Sequence, residues 1–453
     1  MADTRNTDML YALDDRPPVV QSVTAAAQHV LACFIGVING TLIIGGALGL
    51  TAELPYLISM ALFVSGLATF IQAKKFGPVG SGLIAVQGTS FAFVSALLVA
   101  GVAVKHRGGS NEDVLAMMFG ICFWGALVEI ALSQFIDKLK RIITPLTTGI
   151  VVTTIGLSLI KYGMTDLAGG FGAENFAASE NLLIGGFVLL VVLVLNSNPN
   201  PWVRLSAILV GMLTGSLIAW SLGMMNFDHL ASLPAVAVPE PFKYGYNFDW
   251  QLFIPVAMVY LLTAIETAGD LTANCLFCRI PLQSKDYFTR VKGGILADGI
   301  NSMIAAVFNT FPNTTFGQNN AVIQMTGVAS RYVGFYVAGI LMLLGLFPLI
   351  GGIFQAMPKP VLGGATLVMF ATIAVAGIRI LTSEPIDRRK SLIIATSLGC
   401  GLGVMMVPNA LSQLPQWAQD MWSSPVTVSG FCAIFLSVVM PQPQSKEEVV
   451  HAA

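Results

Sequence analysis

Charge is what this chain has least of. Only 10% of its 453 residues are Asp, Glu, Lys or Arg, against roughly 25% in an ordinary soluble domain. Apolar residues make up 55%, enough at about 20 per bilayer crossing for a dozen or more helices, so a soluble enzyme is excluded. The formal net charge is −1, which leaves a nucleic acid no polyelectrolyte surface to bind through. Cysteine is equally scarce: the six are scattered, four of them inside apolar runs, which argues against a disulfide framework. Cys275 and Cys278 form a lone CxxC without a second pair or a histidine pair nearby, so neither a metal nor a cofactor is expected. The first twenty residues hold Asp3, Arg5, Asp8, Asp14, Asp15 and Arg16 but no apolar core, unlike a cleaved signal peptide.

What remains is a series of apolar runs separated by charged or Pro/Gly-rich breaks. Fourteen candidate spans centre near residues 34, 63, 92, 125, 152, 189, 215, 262, 302, 321, 345, 371, 399 and 432. With fourteen spans both termini share one side, and that side receives 18 of the 23 lysines and arginines, among them Lys138, Lys140, Arg141 and Lys446. The positive-inside rule then predicts cytoplasmic termini. Two spans are poorly apolar: the third, at Gln87-Gly88-Thr89-Ser90-Phe91, and the tenth, at Asn313 to Asn320. They hold equivalent places in a seven-plus-seven division whose halves must be inverted, and interrupted segments at matching places point to a transporter's binding site. Pro145 to Gly149 in the fifth span and Pro360 to Gly364 in the twelfth give a fainter echo.

An ionisable residue near a span centre costs about 2.5 to 3.5 kcal/mol to insert, so each one calls for a reason. Glu266 and Asp270 stand i,i+4 on one face of the eighth span, and Asp298 lies in the ninth. Glu266 is the deepest and has the fewest local partners, which makes it the first choice for a substrate or proton ligand. Glu129 has no recognisable companion and reads as structural, and His29 in the first span is of the type that titrates near neutral pH. An intramembrane aspartyl protease needs Gly-x-Gly-Asp, and Thr267-Ala268-Gly269-Asp270 lacks the first glycine. A channel would need a ring of repeated filters, whereas this chain has one polar cluster. The tenth span collects Asn309, Asn313, Gln318, Asn319, Asn320 and Gln324, and amides donate and accept together, as a flat heterocycle with N–H and C=O edges requires. Phe91 supplies a stacking surface. Composition and pattern together predict a secondary transporter for a small, polar, planar solute.

The run Gln318-Asn319-Asn320-Ala321-Val322-Ile323-Gln324-Met325-Thr326-Gly327 resembles the signature of the nucleobase-ascorbate transporter family, also called nucleobase:cation symporter 2. The similarity extends to Asp14-Asp15-Arg16-Pro17-Pro18, to Gln87 through Phe91, to Lys292-Gly293-Gly294 through Gly299 and to Gly327 through Gly334, and it favours the bacterial xanthine permease branch. The resemblance implies an all-α polytopic protein with short strands in spans 3 and 10. Core segments at 23–137 and 229–358 and gate segments at 138–228 and 359–441 would lie between a cytoplasmic stretch at 1–22 and a tail at 442–453. It further implies a homodimer in the bacterial inner membrane that imports xanthine with protons by an elevator-like motion. Uric acid, uracil, another oxopurine, or an uncoupled facilitative carrier or channel are the alternatives. By resemblance Glu266 and Gln318 hydrogen-bond the purine, Phe91 stacks on it and backbone near Ser90 completes the contacts. Asp298, Asn319 and His29 bear on transport or affinity, and Asp270 matches a family acid. Two departures stand out: Ala321 replaces the signature glycine, and Asn39-Gly40 replaces the usual Thr-Pro. A Cβ at Ala321 is expected to crowd closely packed backbone at the moving interface.

Overall fold

The computed structural model describes residues 9–135, 144–281 and 284–441. Arg5, Lys138, Lys140, Arg141 and Lys446, which entered the charge asymmetry, lie outside them, as do the 137/138 segment boundary and the 442–453 tail. The first half comprises α1 (Val19–Ala47), α2 (Leu54–Lys74), β1 (Gln87–Thr89), α3 (Val94–His106), α4 (Asn111–Gln134), α5 (Pro145–Leu167), α6 (Ser179–Asn196) and α7 (Pro201–Ser221). The second comprises α8 (Trp250–Phe277), α9 (Lys285–Val307), β2 (Asn313–Thr315), α10 (Gln318–Thr326), α11 (Arg331–Gly345), α12 (Pro348–Ala356), α13 (Lys359–Leu381), α14 (Arg388–Met406), α15 (Gln416–Trp422) and α16 (Pro425–Val439).

Sequence punctuation sets these boundaries. Ser110 with Asp113, and Thr144 with Thr147, form capping boxes at the starts of α4 and α5. Asp249, Ser284, Ser330 and Asp387 cap α8, α9, α11 and α14 with side-chain oxygens, giving partners to N–H groups that a helix leaves open. Among the described residues eight helices are long and apolar enough to cross a membrane. The bent pair α11 and α12, turning by 72° before Pro348, makes a ninth when counted as one span. The protein is thus a mostly helical, multi-pass membrane protein.

The helices sort into two groups by contact. In one, α2 packs on α11, α4 packs on both α8 and α9, and α1 packs on α2 and α11. In the other, α13 packs on α5 and α6, α6 packs on α7, and α16 packs on α14 and α5. The α5–α13 contact is backbone to backbone: a Cβ at Gly156 would meet Ala374 Cα at 2.6 Å. Small residues allow such an approach where lipid offers no hydrophobic drive for association.

The two poorly apolar spans break in the same way. β1 and β2 pair antiparallel, Gln87 opposite Thr315, Gly88 opposite Thr314 and Thr89 opposite Asn313. Flanking bonds extend the ladder, Ser90 N–H donating to Pro312 O at 2.8 Å and Phe316 N–H to Val86 O at 2.9 Å. Each strand then runs into a short helix, α3 through the single turn Phe91–Phe93 and α10 directly. Irregular backbone at this depth is tolerated because it is paired and enclosed by protein.

Candidate functional site

A cavity of about 830 Å³ lies between the two helix groups. One wall is α5 and α13, with Thr148, Val152, Ile155, Thr372 and Arg379. The other is Phe91, α8, the start of α9, β2 and α10, with Glu266, Asp270, Thr314, Phe316, Gln318, Asn320 and Gln324. It extends to Thr144, Phe277, Phe288 and Ser383, residues at or just beyond the ends of α5, α8, α9 and α13 on one side of the molecule. Beside it, Phe91 lies parallel to Phe316 at 6.5 Å between centroids and meets Phe370 of α13 edge-on at 5.6 Å. Aromatic faces bordering a mostly apolar cleft with a few polar groups suit a planar ligand.

Glu266, Gln318, Phe91 and Asp270 are therefore brought together. Glu266 Oε2 is buried without a hydrogen-bond partner, and such an atom carries a desolvation cost until something bonds to it. Asp270 lies against the start of α10, where a Cβ at Gly317 would stand 2.7 Å from Asp270 Oδ1. Asn320 Nδ2 donates to the Asp270 main-chain carbonyl at 3.1 Å, tying α10 to α8.

The other predicted residues stand back from the cavity. Asn319 faces away from it, and its Oδ1 accepts from His29 Nδ1 at 2.8 Å. Asn319 Nδ2 lies 3.4 Å from Phe316 O, so the amide oxygen points at the imidazole and Nδ1 carries the proton. His29 Nε2 is left without a partner, and the ring is fully buried. Ser90 also lies behind the cavity, its N–H engaged by Pro312 O, so that donor is not free for a ligand. Asp298 is fully buried behind β2 and accepts from Thr267 Oγ1 at 2.5 Å, Gln72 Nε2 at 2.7 Å and Thr315 N–H at 3.3 Å. It is held in a polar network one shell behind the cavity wall.

Gln72 escaped the sequence reading, and Gln87, Thr267, Thr314 and Thr315, though in segments it singled out, were given no role there. The available signal was a lone buried amide, Gln72, in an otherwise apolar helix. Of the six amides singled out, Gln318, Asn320 and Gln324 line the cavity, whereas Asn309 spends its donor on Glu240 O at 2.6 Å. The Lys292-Gly293-Gly294 motif has a packing reason, since a Cβ at Gly293 would lie 2.5 Å from Gly80 O. Gly40 likewise admits Thr89 of β1, whose Cγ2 would stand 2.9 Å from an added Cβ. The expectation for Ala321 is corrected: this residue is exposed on the cavity wall. Its methyl faces open space because α10 turns Asn319, Val322 and Ile323 into the protein.

A model described as a permease family matches residues 20–410. The chain is 46% identical over 446 residues to xanthine permease XanP of Escherichia coli K12, covering 97% of this chain and 96% of the relative. It is 43% identical over 448 residues to xanthine permease XanQ of the same organism, covering 98% and 96%. Identity to the xanthine permease of Bacillus subtilis 168 is 32% over 428 residues, covering 92% and 93%. Among solved structures, the transmembrane domain of the cyanobacterial bicarbonate transporter BicA matches with a TM-score of 0.54 at 15% identity, over 94% of this chain and 99% of that one. Murine Slc26a9, an anion transporter in an inward-facing state, matches with a TM-score of 0.61 at 13% identity, over 94% and 69%. At such identities the two structures speak for the fold.

Proposed function

The chain belongs to the permease family also known as the nucleobase:cation symporter 2 or nucleobase-ascorbate transporter family, and from that premise we propose that it is a proton-coupled importer of xanthine. One observation carries the site: an unpaired Glu266 oxygen, Gln318 and the Phe91 ring meet in a cavity between two helix groups. In its neutral form the Glu266 carboxyl both donates and accepts, Gln318 does the same, and together they satisfy the alternating N–H and C=O edge of an oxopurine. Phe91 stacks on the ring face.

The transport reading uses fourteen spans in two inverted halves. In its support, each of the fourteen predicted centres falls within a helix or one of the two strand-to-helix breaks. The helix group containing α1 to α4 and α8 to α12 acts as the core and the other as the gate, with the 23–137, 229–358 and 138–228, 359–441 boundaries. The cavity mouth lies at the helix ends that the cation asymmetry assigns to the cytoplasm, so the state described is inward-facing. Loaded with base and proton, the core slides against the gate in a homodimer of the bacterial inner membrane. The base and the proton leave by that mouth. Glu266 exchanges the proton, Asp298 and His29 hold the elements that carry the site, and Asn319 reaches the base indirectly, through the position of α10.

Gln318→Ala removes both hydrogen bonds of one partner. A roughly 10- to 100-fold loss of xanthine affinity is expected, with expression unchanged. Undiminished thermal stabilisation of that variant by xanthine in detergent would remove Gln318 from the site. Radiolabelled xanthine uptake against unlabelled uric acid, uracil and hypoxanthine then ranks the substrates, and stronger competition by uric acid than by xanthine itself would move the assignment. Because Ala321 faces the cavity, Ala321→Gly is expected to weaken xanthine binding a few-fold at constant maximal uptake rate, through a cost of about 1 kcal/mol for glycine in a short helix. A higher uptake rate at unchanged affinity would instead restore the sliding-interface role.

A further inference from the structure

We propose that Gln72 is a positioning residue for the binding site, holding the carboxylate of Asp298 beneath the paired strands so that Phe91 and Gln318 face each other across one cavity. This rests on the xanthine-binding reading above. Gln72 lies in α2, separated from the cavity-lining Thr315 by Asp298, and is fully buried. Its amide is almost fully used. Nε2 donates to Asp298 Oδ1 at 2.7 Å and to Gly294 O at 2.9 Å, while Oε1 accepts from Ser81 N–H at 3.0 Å. Its main-chain carbonyl, left open near the end of α2, accepts from Gly82 N–H at 2.8 Å. One side chain thus joins α2, α9 and the segment that leads into β1.

Asp298 passes the constraint on. Its second oxygen receives Thr267 Oγ1 from α8 and Thr315 N–H from β2, and Thr315 Oγ1 accepts from Gln87 Nε2 of β1 at 2.8 Å. Each donor fixes one element around a single carboxylate. Gln72 supplies the short bond to Oδ1, at 2.7 Å against 3.5 Å for the Thr315 hydroxyl on the same oxygen, so the carboxylate cannot rotate without breaking a charge-assisted bond. β1 is three residues long and ends one residue before Ser90-Phe91, and β2 ends three residues before Gln318. A rotation of the carboxylate therefore reaches the ligand contacts through very short levers. Because the network contains only buried polar groups, losing one member leaves others unsatisfied, and a site held this closely loses affinity when its supporting shell loosens.

The test uses full-length protein in detergent and in proteoliposomes. Gln72→Leu keeps the approximate volume and deletes all three side-chain bonds. Gln72→Glu with Asp298→Asn exchanges the donor and acceptor between the two positions and restores their mutual bond, though not the one to Gly294 O. Xanthine affinity is expected to fall at least tenfold in Gln72→Leu, with maximal uptake per folded molecule changed less than twofold, and the exchange variant is expected to recover most of the lost affinity. Gln72→Leu binding xanthine as tightly as the parent overturns the proposal, as does failure of the exchange variant to recover affinity. If neither variant yields folded protein, Gln72 is a folding residue and the proposal is likewise lost. Parent protein that does not bind xanthine in the same assay would overturn the functional reading itself.

Discussion

Glu266→Gln is expected to abolish proton-driven xanthine accumulation, by about 100-fold or more, while leaving the protein folded and able to bind. The amide copies the shape of a neutral carboxyl and keeps one donor and one acceptor, so the cavity wall is preserved. It cannot release a proton. A transporter whose coupling resides in that proton is reduced to exchange and downhill flux. Accumulation in membrane vesicles, measured with and without a protonophore, reads the difference directly, and xanthine counterflow reports whether the moving parts still work. Uptake by the variant that still collapses with the proton gradient would place coupling elsewhere. His29 would then come first, because its Nε2 is unpartnered, whereas both oxygens of Asp298 are engaged.

A comparably large effect is expected far from the ligand. At Gly156 of α5 an added Cβ would stand 2.6 Å from Ala374 Cα and 2.8 Å from Ala374 Cβ. The clash is with backbone, which no rotamer relieves, so Gly156→Leu must push α5 and α13 apart along a contact where closeness is the source of attraction. Loss of roughly nine-tenths or more of monodisperse protein is expected, a cost in the range reserved for severe overpacking. Gly186→Leu in α6 is the control, since nothing lies within 4 Å of its Cβ position, and it should purify like the parent. Equal yields of the two variants would mean that α5 and α13 are not held by backbone contact.

The helical framework and the two interruptions were legible because both depend on composition. A span that must expose backbone at membrane depth carries polar and small residues, and Gln87 to Phe91 and Asn313 to Asn320 do so. Glu266 and Gln318 were legible for a related reason, as polar groups where a polar group needs an explanation. The phase of α10 was not legible. A helix of nine residues launched from a strand has its rotation set by the strand pairing, so spacing alone left open whether Asn319 or Asn320 meets the cavity, or where the methyl of Ala321 points. The partners of Asp298 were hidden for another reason: Gln72 and Thr267 lie 226 and 31 residues from it in the chain, and no local pattern relates them. The Asp14 to Pro18 motif was visible, but its use was not. Tyr11 and Leu13 pair with backbone at Gly327, Ala329 and Arg331, Ser330 Oγ donates to Asp15 O at 2.6 Å, and Asp14 pairs with Arg331 at 3.0 Å. This strap crosses the joint between α10 and α11.

The strand pair also imposes an order of events during synthesis. Gln87 and its partner Thr315 are 228 residues apart, which at about 5 to 20 residues per second separates their emergence from the ribosome by roughly ten to fifty seconds. Throughout that interval β1, and the peptide groups on either side of it, must wait inside or beside the translocation machinery with no partner. The strap waits longer, because Asp15 and Ser330 are 315 residues apart. Nascent chains halted before residue 313 should consequently remain sensitive to proteases and crosslinkers around residues 81–93, and that sensitivity should vanish abruptly once β2 is made.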